Sequence, residues 1–241
     1  MLVKTRAIVL NSLKYGESQV IVDLLTEAHG RLSFMQRIPK SSRARVKKQL
    51  FQPLTLLRVE FDFRPNQRLL RLRDAVMETP LVSVPFDARK LSIALFIAEF
   101  TCYATRAEQD NAPLFAYIEN SIRWLDACQA DFANFHIIYM MRLTRFVGFF
   151  PNLDDAGDGS WFDLRSACFV PHAPLHPDFL APAEARKLAM LMRVTYATMH
   201  LVPMSREERN RCVDVILHYY RLHEPGFPEL KSLPVLKSLF A

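Results

Sequence analysis

Residues 7–38 read AIVLNSLKYGESQVIVDLLTEAHGRLSFMQRI, and this stretch decides the fold of the N-terminal third. Val20, Val22 and Leu24 recur at every second position, so one face of an extended segment is apolar. Tyr15-Gly16 and His29-Gly30 supply turns on either side. Strands are therefore expected over Ala7–Leu13, Gln19–Thr26 and Leu32–Ile38. The pattern resumes at Leu54–Phe63, bounded by Pro53 and by Arg64-Pro65-Asn66, and again at Leu69–Val76. Pro39 and the Ser41-Ser42 pair interrupt it, and Lys40–Leu50 reads as a basic linker or short helix. Short strands joined by turns in this number suit a small barrel or a strongly curled sheet.

Beyond Pro80 the period changes from two to that of a helix. Leu91, Ala94, Leu95, Ala98 and Cys102 form an apolar stripe within Asp87–Thr105. Leu114–Cys128, Phe132–Phe149, Ala183–Leu201 and Arg206–His223 repeat it. Ser205 with Glu208 predicts a capping box, and Pro182 stands where a helix start tolerates its missing N–H. Residues 151–182 are irregular, with acids and glycines from Asp154 to Gly159 and prolines at 171, 174, 177 and 182; Trp161–Val170 is the place for a short strand or hairpin. The expected class is α+β. A β-barrel domain covers 1–80 and a helical domain covers 81–241, with an irregular insertion at 151–182.

Charge follows the same boundary. Residues 1–80 carry 15 Lys and Arg against 7 Asp and Glu, whereas the rest of the chain carries 16 against 18. Between Arg31 and Arg58 stand eight basic residues and no acid. A positive excess confined to one region points to a polyanion partner. The groove candidates are Arg37, Lys40, Arg43, Arg45, Lys47 and Lys48, supplemented by Lys4, Arg6, Arg71 and Arg73. Phe34, Phe51, Tyr15 and Phe63 are candidates to stack on bases, although a small barrel draws most of its aromatics into the core.

The remaining composition narrows the class. Eighteen Phe against six Gly exclude a disordered or glycine-repeat chain. Charged residues Glu99, Arg142 and Arg145 interrupt the longest apolar runs, and the first residues lack a secretory pattern. Four cysteines at 102, 128, 168 and 212 form no Cys-x-x-Cys pair, so reduced thiols in a soluble cytoplasmic protein are expected. Cys168, His172 and His176 have spacing worth testing for zinc, with Asp163 or Asp178 as the fourth donor, but a cysteine near two surface histidines is the plainer account. The acids around Asp154–Asp158 lack the calcium-loop pattern and read as a polar turn. No phosphate loop, dinucleotide fingerprint, His-Glu-x-x-His or Gly-x-Ser-x-Gly motif occurs. No catalytic residue, metal or cofactor is expected, and the chain reads as a non-enzyme.

The N-terminal blocks resemble a bacterial recombination mediator family, RecO. The matching residues are Thr5-x-Ala7-Ile8-Val9-Leu10, Tyr15-Gly16-Glu17 and Ile21-Val22-x-Leu24-Leu25-Thr26-Glu27-x-x-Gly30-Arg31. Gly148-Phe149-x-Pro151-Asn152-Leu153 is similar to the family's helix-ending segment, and Leu230-Lys231-Ser232-Leu233 with Pro234-Val235-Leu236 resembles its tail. The resemblance implies a five-stranded OB-fold barrel, a helical C-terminal domain and often a small zinc-bearing insertion. It also implies binding of single- and double-stranded DNA, annealing of complementary strands, and docking of the C-terminal tail of the single-stranded-DNA-binding protein. Partnership with RecR, and through it with RecA, is implied as well.

Two departures stand out. Zinc-bearing members hold four cysteines in the insertion, where this chain has only Cys168. Where the family often places a tail-binding Arg, this chain has Ile138-Tyr139, with Arg142 and Arg145 following. Arg142, Arg145, Phe146 and Phe149 are accordingly the expected tail contacts, an aromatic pocket with a cation for the terminal carboxylate. An RNA-binding OB-fold protein, or a scaffold whose basic face docks an acidic protein, fits the charge pattern as alternatives.

Overall fold

Alternation in the first 79 residues resolves into antiparallel strands β1 (Leu2–Tyr15), β2 (Gln19–Thr26), β3 (Gly30–Arg37), β4 (Leu56–Asp62) and β5 (Leu72–Thr79), in the order β3-β2-β1-β4-β5. The structure is a computed structural model and describes residues 1–38, 48–106, 108, 111–157 and 159–239. β1 serves two partners. Leu2 to Ile8 pair with β4, Ala7 to Tyr15 pair with β2, and the register shifts between Val9 and Asn11. Such an irregularity bends a strand and increases its twist. The bend brings the sheet's edges together, where Leu70 N donates to the Ser33 carbonyl (2.9 Å) and Met35 N to the Leu70 carbonyl (2.8 Å). The result is a closed five-stranded barrel of OB-fold type.

Two boundaries differ from the sequence pattern for a physical reason. β1 starts at Leu2 because its first residues have β4 as a partner from a distant part of the chain. β5 starts at Leu72, since Leu70 is engaged in barrel closure instead of the β4 ladder. Gly16 and Gly30 take positive φ (63° and 62°) in the two tight turns, a conformation that glycine adopts without strain. Val9, Val22, Leu24, Phe34 and Phe61 are fully buried inside the barrel. A 3-10 turn at Lys48–Phe51 adds the buried Phe51 to that core.

Helices follow: α1 (Ala88–Ala104) and α2 (Ala112–Ala127). Asp87 caps α1 by accepting from the N–H groups of Arg89 (2.8 Å) and Lys90 (3.3 Å). Strands give way to helices at Thr79–Pro80, yet the first compact unit runs from Met1 through Ala127 and includes Leu230–Leu236. Two polar devices hold α2 in that unit. Arg6 of β1 reaches Glu27 and also Glu119 of α2. Asp126, nearly buried, accepts from the N–H groups of Val82 (2.9 Å), Ser83 (2.8 Å) and Val84 (2.9 Å). The returning segment is held by Glu99 of α1, which accepts from the N–H groups of Lys231 (2.9 Å) and Ser232 (2.8 Å).

The second unit comprises residues 128–229 and the chain from Lys237. It contains α3 (Phe135–Leu143), α4 (Pro182–Arg193) and α5 (Arg206–His223), while α6 (Leu233–Ser238) lies in the chain's last segment. A small sheet orders its strands β7 (Cys168–Val170), β6 (Trp161–Asp163) and β8 (Phe179–Leu180). α3 packs against α4 and α5, and the buried Tyr220 hydroxyl of α5 donates to the Met140 carbonyl (2.9 Å). Burial pushes the Tyr220 pKa well up, so it stays a donor. The capping box at Ser205 and Glu208 and Pro182 in the first turn of α4 are present as expected.

Two expected helices are shorter. α3 ends at Leu143, after which the Thr144 hydroxyl donates back to the Met141 carbonyl (2.6 Å) and Gly148 turns the chain with φ 89°. α4 ends at Arg193 because Val194 is extended and Thr195 follows it, two β-branched residues that lose side-chain freedom in a helix. Met199–Leu201 then form a separate 3-10 turn. Among the described residues no helix is long and apolar enough to cross a membrane.

Burial pushes the Asp126 carboxyl up, but the three backbone donors and Ser83 together hold it below the ordinary carboxylate value. Asp126→Ala is expected to lower unfolding stability at pH 7 by roughly 3 kcal/mol, since buried N–H groups lose a charged acceptor. The sign follows from the lowered folded pKa. The contribution is complete above the unfolded carboxyl value of about 4 and is lost as pH falls through the lower folded value. Denaturant titrations of both proteins across that range check it.

Candidate nucleic-acid interface

In an OB-fold, the β2–β3 face and the β1–β2 and β4–β5 loops are the places where an oligonucleotide can lie. Lys14 and Tyr15 end β1, and the pairings Tyr15↔Gln19 and Gln19↔Arg37 bring Arg37 to the same end of the sheet. On the other flank of β3, Leu70 runs parallel beside Phe34, so Arg71 lies toward Arg37 and Arg68 toward the start of the strand. Arg64 stands at the turn after β4, where Gln67 N donates to its carbonyl (3.0 Å). Lys14, Arg37, Arg64, Arg68 and Arg71 are all exposed, and none has an acidic partner among the described residues. They form a positive strip beside β3. The eight residues of β3 span about 26 Å at a strand's rise, enough for roughly seven stacked nucleotides.

The expected phosphate contacts divide into three groups. Arg37, Arg71 and Lys48 are exposed and without acidic partners among the described residues; Lys48 opens the 3-10 turn. Lys40, Arg43, Arg45 and Lys47 lie outside the described residues. Lys4, Arg6 and Arg73 are engaged with acids. Lys4 Nζ meets Glu60 across the β1–β4 ladder (2.9 Å), and Arg73 meets Asp62 at the base of the β4–β5 hairpin (2.7 Å).

Arg6 is the most occupied. Its Nε and Nη2 donate to Glu27 (2.9 and 2.5 Å), its Nη1 donates to Glu119 (2.7 Å), and the guanidinium lies 5.3 Å from the Phe115 ring centroid. Bonding to Glu27, with the charge of Glu119, pushes the Arg6 pKa further up and pulls Glu27 below the usual carboxylate range. Two members of the acid-free block are likewise in use. Arg31 donates to the Cys102 carbonyl (2.5 Å), and Arg58 pairs with Glu78 (3.1 Å).

Of the aromatic candidates, Phe34 and Phe51 belong to the barrel core and are 0 % and 2 % exposed, which removes them from base contact. Strand alternation carries Phe34 inward, and the 3-10 turn does the same for Phe51. Tyr15 is exposed at the hairpin tip, and Phe63 is half-buried. Sequence reasoning passed over Lys14, Arg64 and Arg68. Arg64 stands in a turn signal, and all three lie outside the acid-free run from Arg31 to Arg58.

In the second unit, the residues expected to receive a peptide tail are spread among different tasks. Phe149 sits against Tyr220 (4.9 Å) and stacks on His223 (5.3 Å), and its carbonyl accepts from the Tyr219 hydroxyl (2.6 Å). Phe146 is half-buried, while Arg145 is exposed over the Phe150 ring at 4.3 Å. Arg142 donates to the Val194 carbonyl (3.0 Å). Val194 itself borders an open cavity of about 540 Å³ whose walls include Phe169, Arg186, Met190, Arg193 and Leu201. Cations and apolar side chains thus meet beside Arg142, on α4.

Among the described residues the insertion brings together no donor set suited to a closed zinc site. Cys168 Sγ lies 3.2 Å from Ser166 Oγ, and His172 is exposed. His176 Nε2 is 3.4 Å from Asp163, and His218 Nε2 bonds Asp178 (2.7 Å). Among the described residues no group of three or more His, Cys, Asp and Glu could hold a metal ion.

A closed OB barrel with a positive strip along β3, followed by helices, defines an OB-fold protein with an open, positively charged surface. Comparison with known families agrees with that class. The model for "Recombination protein O N terminal" matches residues 1–80, and that for "Recombination protein O C terminal" matches residues 85–234. Proteins named DNA repair protein RecO from Bacteroides fragilis and Phocaeicola vulgatus are 52 % and 50 % identical over 241 residues, the whole of both chains in each case. That of Porphyromonas gingivalis is 32 % identical, again over the whole of both chains. The chain belongs to the RecO family of DNA repair proteins.

Replacing Arg64, Arg68 and Arg71 together by Ala should reduce the slope of log affinity against log salt for single-stranded DNA by about 2, at roughly 0.7 per phosphate contact. Arg6→Ala should leave that slope in place and lower the unfolding midpoint. Fluorescence anisotropy at several salt concentrations reads the first effect, and denaturant titration reads the second. A folded Arg6→Ala protein that loses the slope would place the interface on the other side of β1.

Proposed function

We propose that this chain is a non-enzymatic mediator of homologous recombination. The barrel, residues 1–80, holds single- and double-stranded DNA, and the helical region, residues 81–241, docks protein partners. The observation that carries the reading is the exposed row Lys14, Arg37, Arg64, Arg68 and Arg71 beside β3 in a chain of the RecO family. The sequence from Arg37 to Lys48 places six cations and no acid in the same domain.

The chemistry asked of the protein is modest. Phosphates of two strands repel each other, and that repulsion slows their meeting. Lys and Arg side chains neutralise part of the charge and release counterions, so two bound strands approach at lower electrostatic cost. Bases left unread by the barrel stay free to pair. No bond is made or broken, so no general acid or base is required. The reading extends to strands coated by the single-stranded-DNA-binding protein, to cooperation with RecR, and through it to loading of RecA in the bacterial cytoplasm.

For the acidic-hydrophobic tail of the binding protein, the cavity walled by Phe169, Met190 and Leu201 with Arg186 and Arg193 suits the ligand better than Phe149, whose ring is engaged with its own core. Arg142 supports the wall through Val194. Apolar surface would take the tail's aromatic end, and a guanidinium its terminal carboxylate.

The deciding experiment is annealing of complementary strands precoated with the binding protein. The wild-type chain should accelerate it, and the Arg64, Arg68 and Arg71 triple variant should be slower at equal protein concentration. Arg186→Glu with Arg193→Glu should abolish binding of a synthetic tail peptide and leave affinity for bare DNA unchanged. Equal, salt-insensitive binding of single-stranded DNA, duplex and RNA would overturn the mediator reading. Loss of tail and DNA binding together in the α4 variant would overturn the division of labour.

A further inference from the structure

We propose that His29, stacked on Phe63 at the rim of the barrel, is a platform for an unpaired base of single-stranded DNA. The inference rests on the DNA-binding reading above and adds to it a site that discriminates single strand from duplex.

Four rings lead from the core to the rim. Phe34 meets Phe61 edge-to-face at 5.0 Å, Phe61 meets His29 at 6.4 Å and 70°, and His29 lies flat on Phe63 at 4.1 Å and 5°. The inner two rings are fully buried, so they fix the outer two. The backbone fixes them further. His29 N donates to the Thr26 hydroxyl (3.1 Å) ahead of the left-handed Gly30, and Phe63 N donates to the Met1 carbonyl (2.8 Å). A flat ring already held in place loses little conformational entropy when a base stacks on it. Phe63 covers one face of the imidazole, and His29 is still only half-buried, so part of the residue reaches solvent at the rim.

The charges around the stack favour a nucleic-acid strand. Arg64 directly follows Phe63, and Arg68 lies on the same hairpin; both are exposed. The neighbouring acids are neutralised, Glu27 by Arg6 and Asp62 by Arg73. A phosphate following the β3 strip would therefore meet cations here while its base reaches the ring. In a duplex the bases are hidden from such a ring, and only the phosphate contacts remain. Stacking on an aromatic side chain tolerates any base, so the platform selects strandedness rather than sequence.

The test is an anisotropy titration of three probes of equal length: oligothymidine, an oligomer of abasic sugar-phosphates, and a duplex. The wild-type chain should bind oligothymidine roughly ten-fold more tightly than the abasic strand, within the range for one stacked base. His29→Ala should erase that preference without changing affinity for the abasic strand or the duplex. His29→Phe should restore it, which a purely structural histidine would not do. Equal binding of oligothymidine and the abasic strand by the wild-type chain, with normal salt dependence, overturns the platform and leaves the DNA-binding reading standing. Failure to bind any probe overturns both. A preference that survives in His29→Ala, or an equal loss for all three probes, also overturns the platform. Tighter, His29-dependent binding of oligouridine would overturn its assignment to DNA.

Discussion

One strand carries the architecture of the N-terminal unit. β1 pairs with β4 along its first half and with β2 along its second, and the irregularity between Val9 and Asn11 lets one continuous segment serve both ladders. A strand that stayed flat would leave β3 and β5 as separate edges. Bent, it brings Leu70 against Phe34, and barrel closure follows. The surface beside β3 depends on that closure. It sets Arg71 and Arg68 beside β3 and aligns them with Arg37, and it draws the Phe61 and Phe63 rings toward the β2–β3 turn.

The same strand shows how a basic side chain can be diverted from a ligand to the fold. Arg6 and Lys4 project from β1 within a region of positive excess, and both meet acids from elsewhere in the chain. Arg6 joins a strand, a turn and a helix through two carboxylates and an aromatic face. Its half-exposed setting still makes it more than an ordinary surface pair, because the two carboxylates hold the planar fork in one orientation. Charge counted along a sequence is therefore an upper bound on the charge available to a partner. Among the described residues of the barrel region, Lys48 remains open together with the row on the β4–β5 hairpin and at the ends of β1 and β3.

Strand alternation, turn glycines and the change of period after Pro80 made the class and most elements legible from the residues. Local rules failed where distant partners intervened: at Leu2, which needs β4, and at Leu70, which closes the barrel. They also failed in α3 and α4. Apolar spacing continued past Leu143 and Arg193, but Thr144, Gly148 and the Val194-Thr195 pair end the helices. For the interface, the sequence pointed to the first unit and named Arg37, Arg71 and Lys48, which the structure leaves exposed. It could not separate these from Lys4, Arg6 and Arg73, because pairing across strands depends on register. Phe34 and Phe51 illustrate the same gap, since stacking candidates and core residues share one composition.

By itself, then, the sequence determined the barrel-then-helices order, the family and the sign of the first domain's charge excess. These depend on periodicity, on motif residues and on a count of ionisable groups, all local or additive properties of the chain. Only the tertiary structure decided which cations face solvent and which aromatic rings reach the rim. It also decided where a cation-edged apolar cavity opens on α4. Each of these depends on residues tens of positions apart being brought within a few ångströms, as when Arg6 meets Glu119 or His29 lies on Phe63. No pattern read along the chain contains those distances, because they arise from strand register and barrel closure.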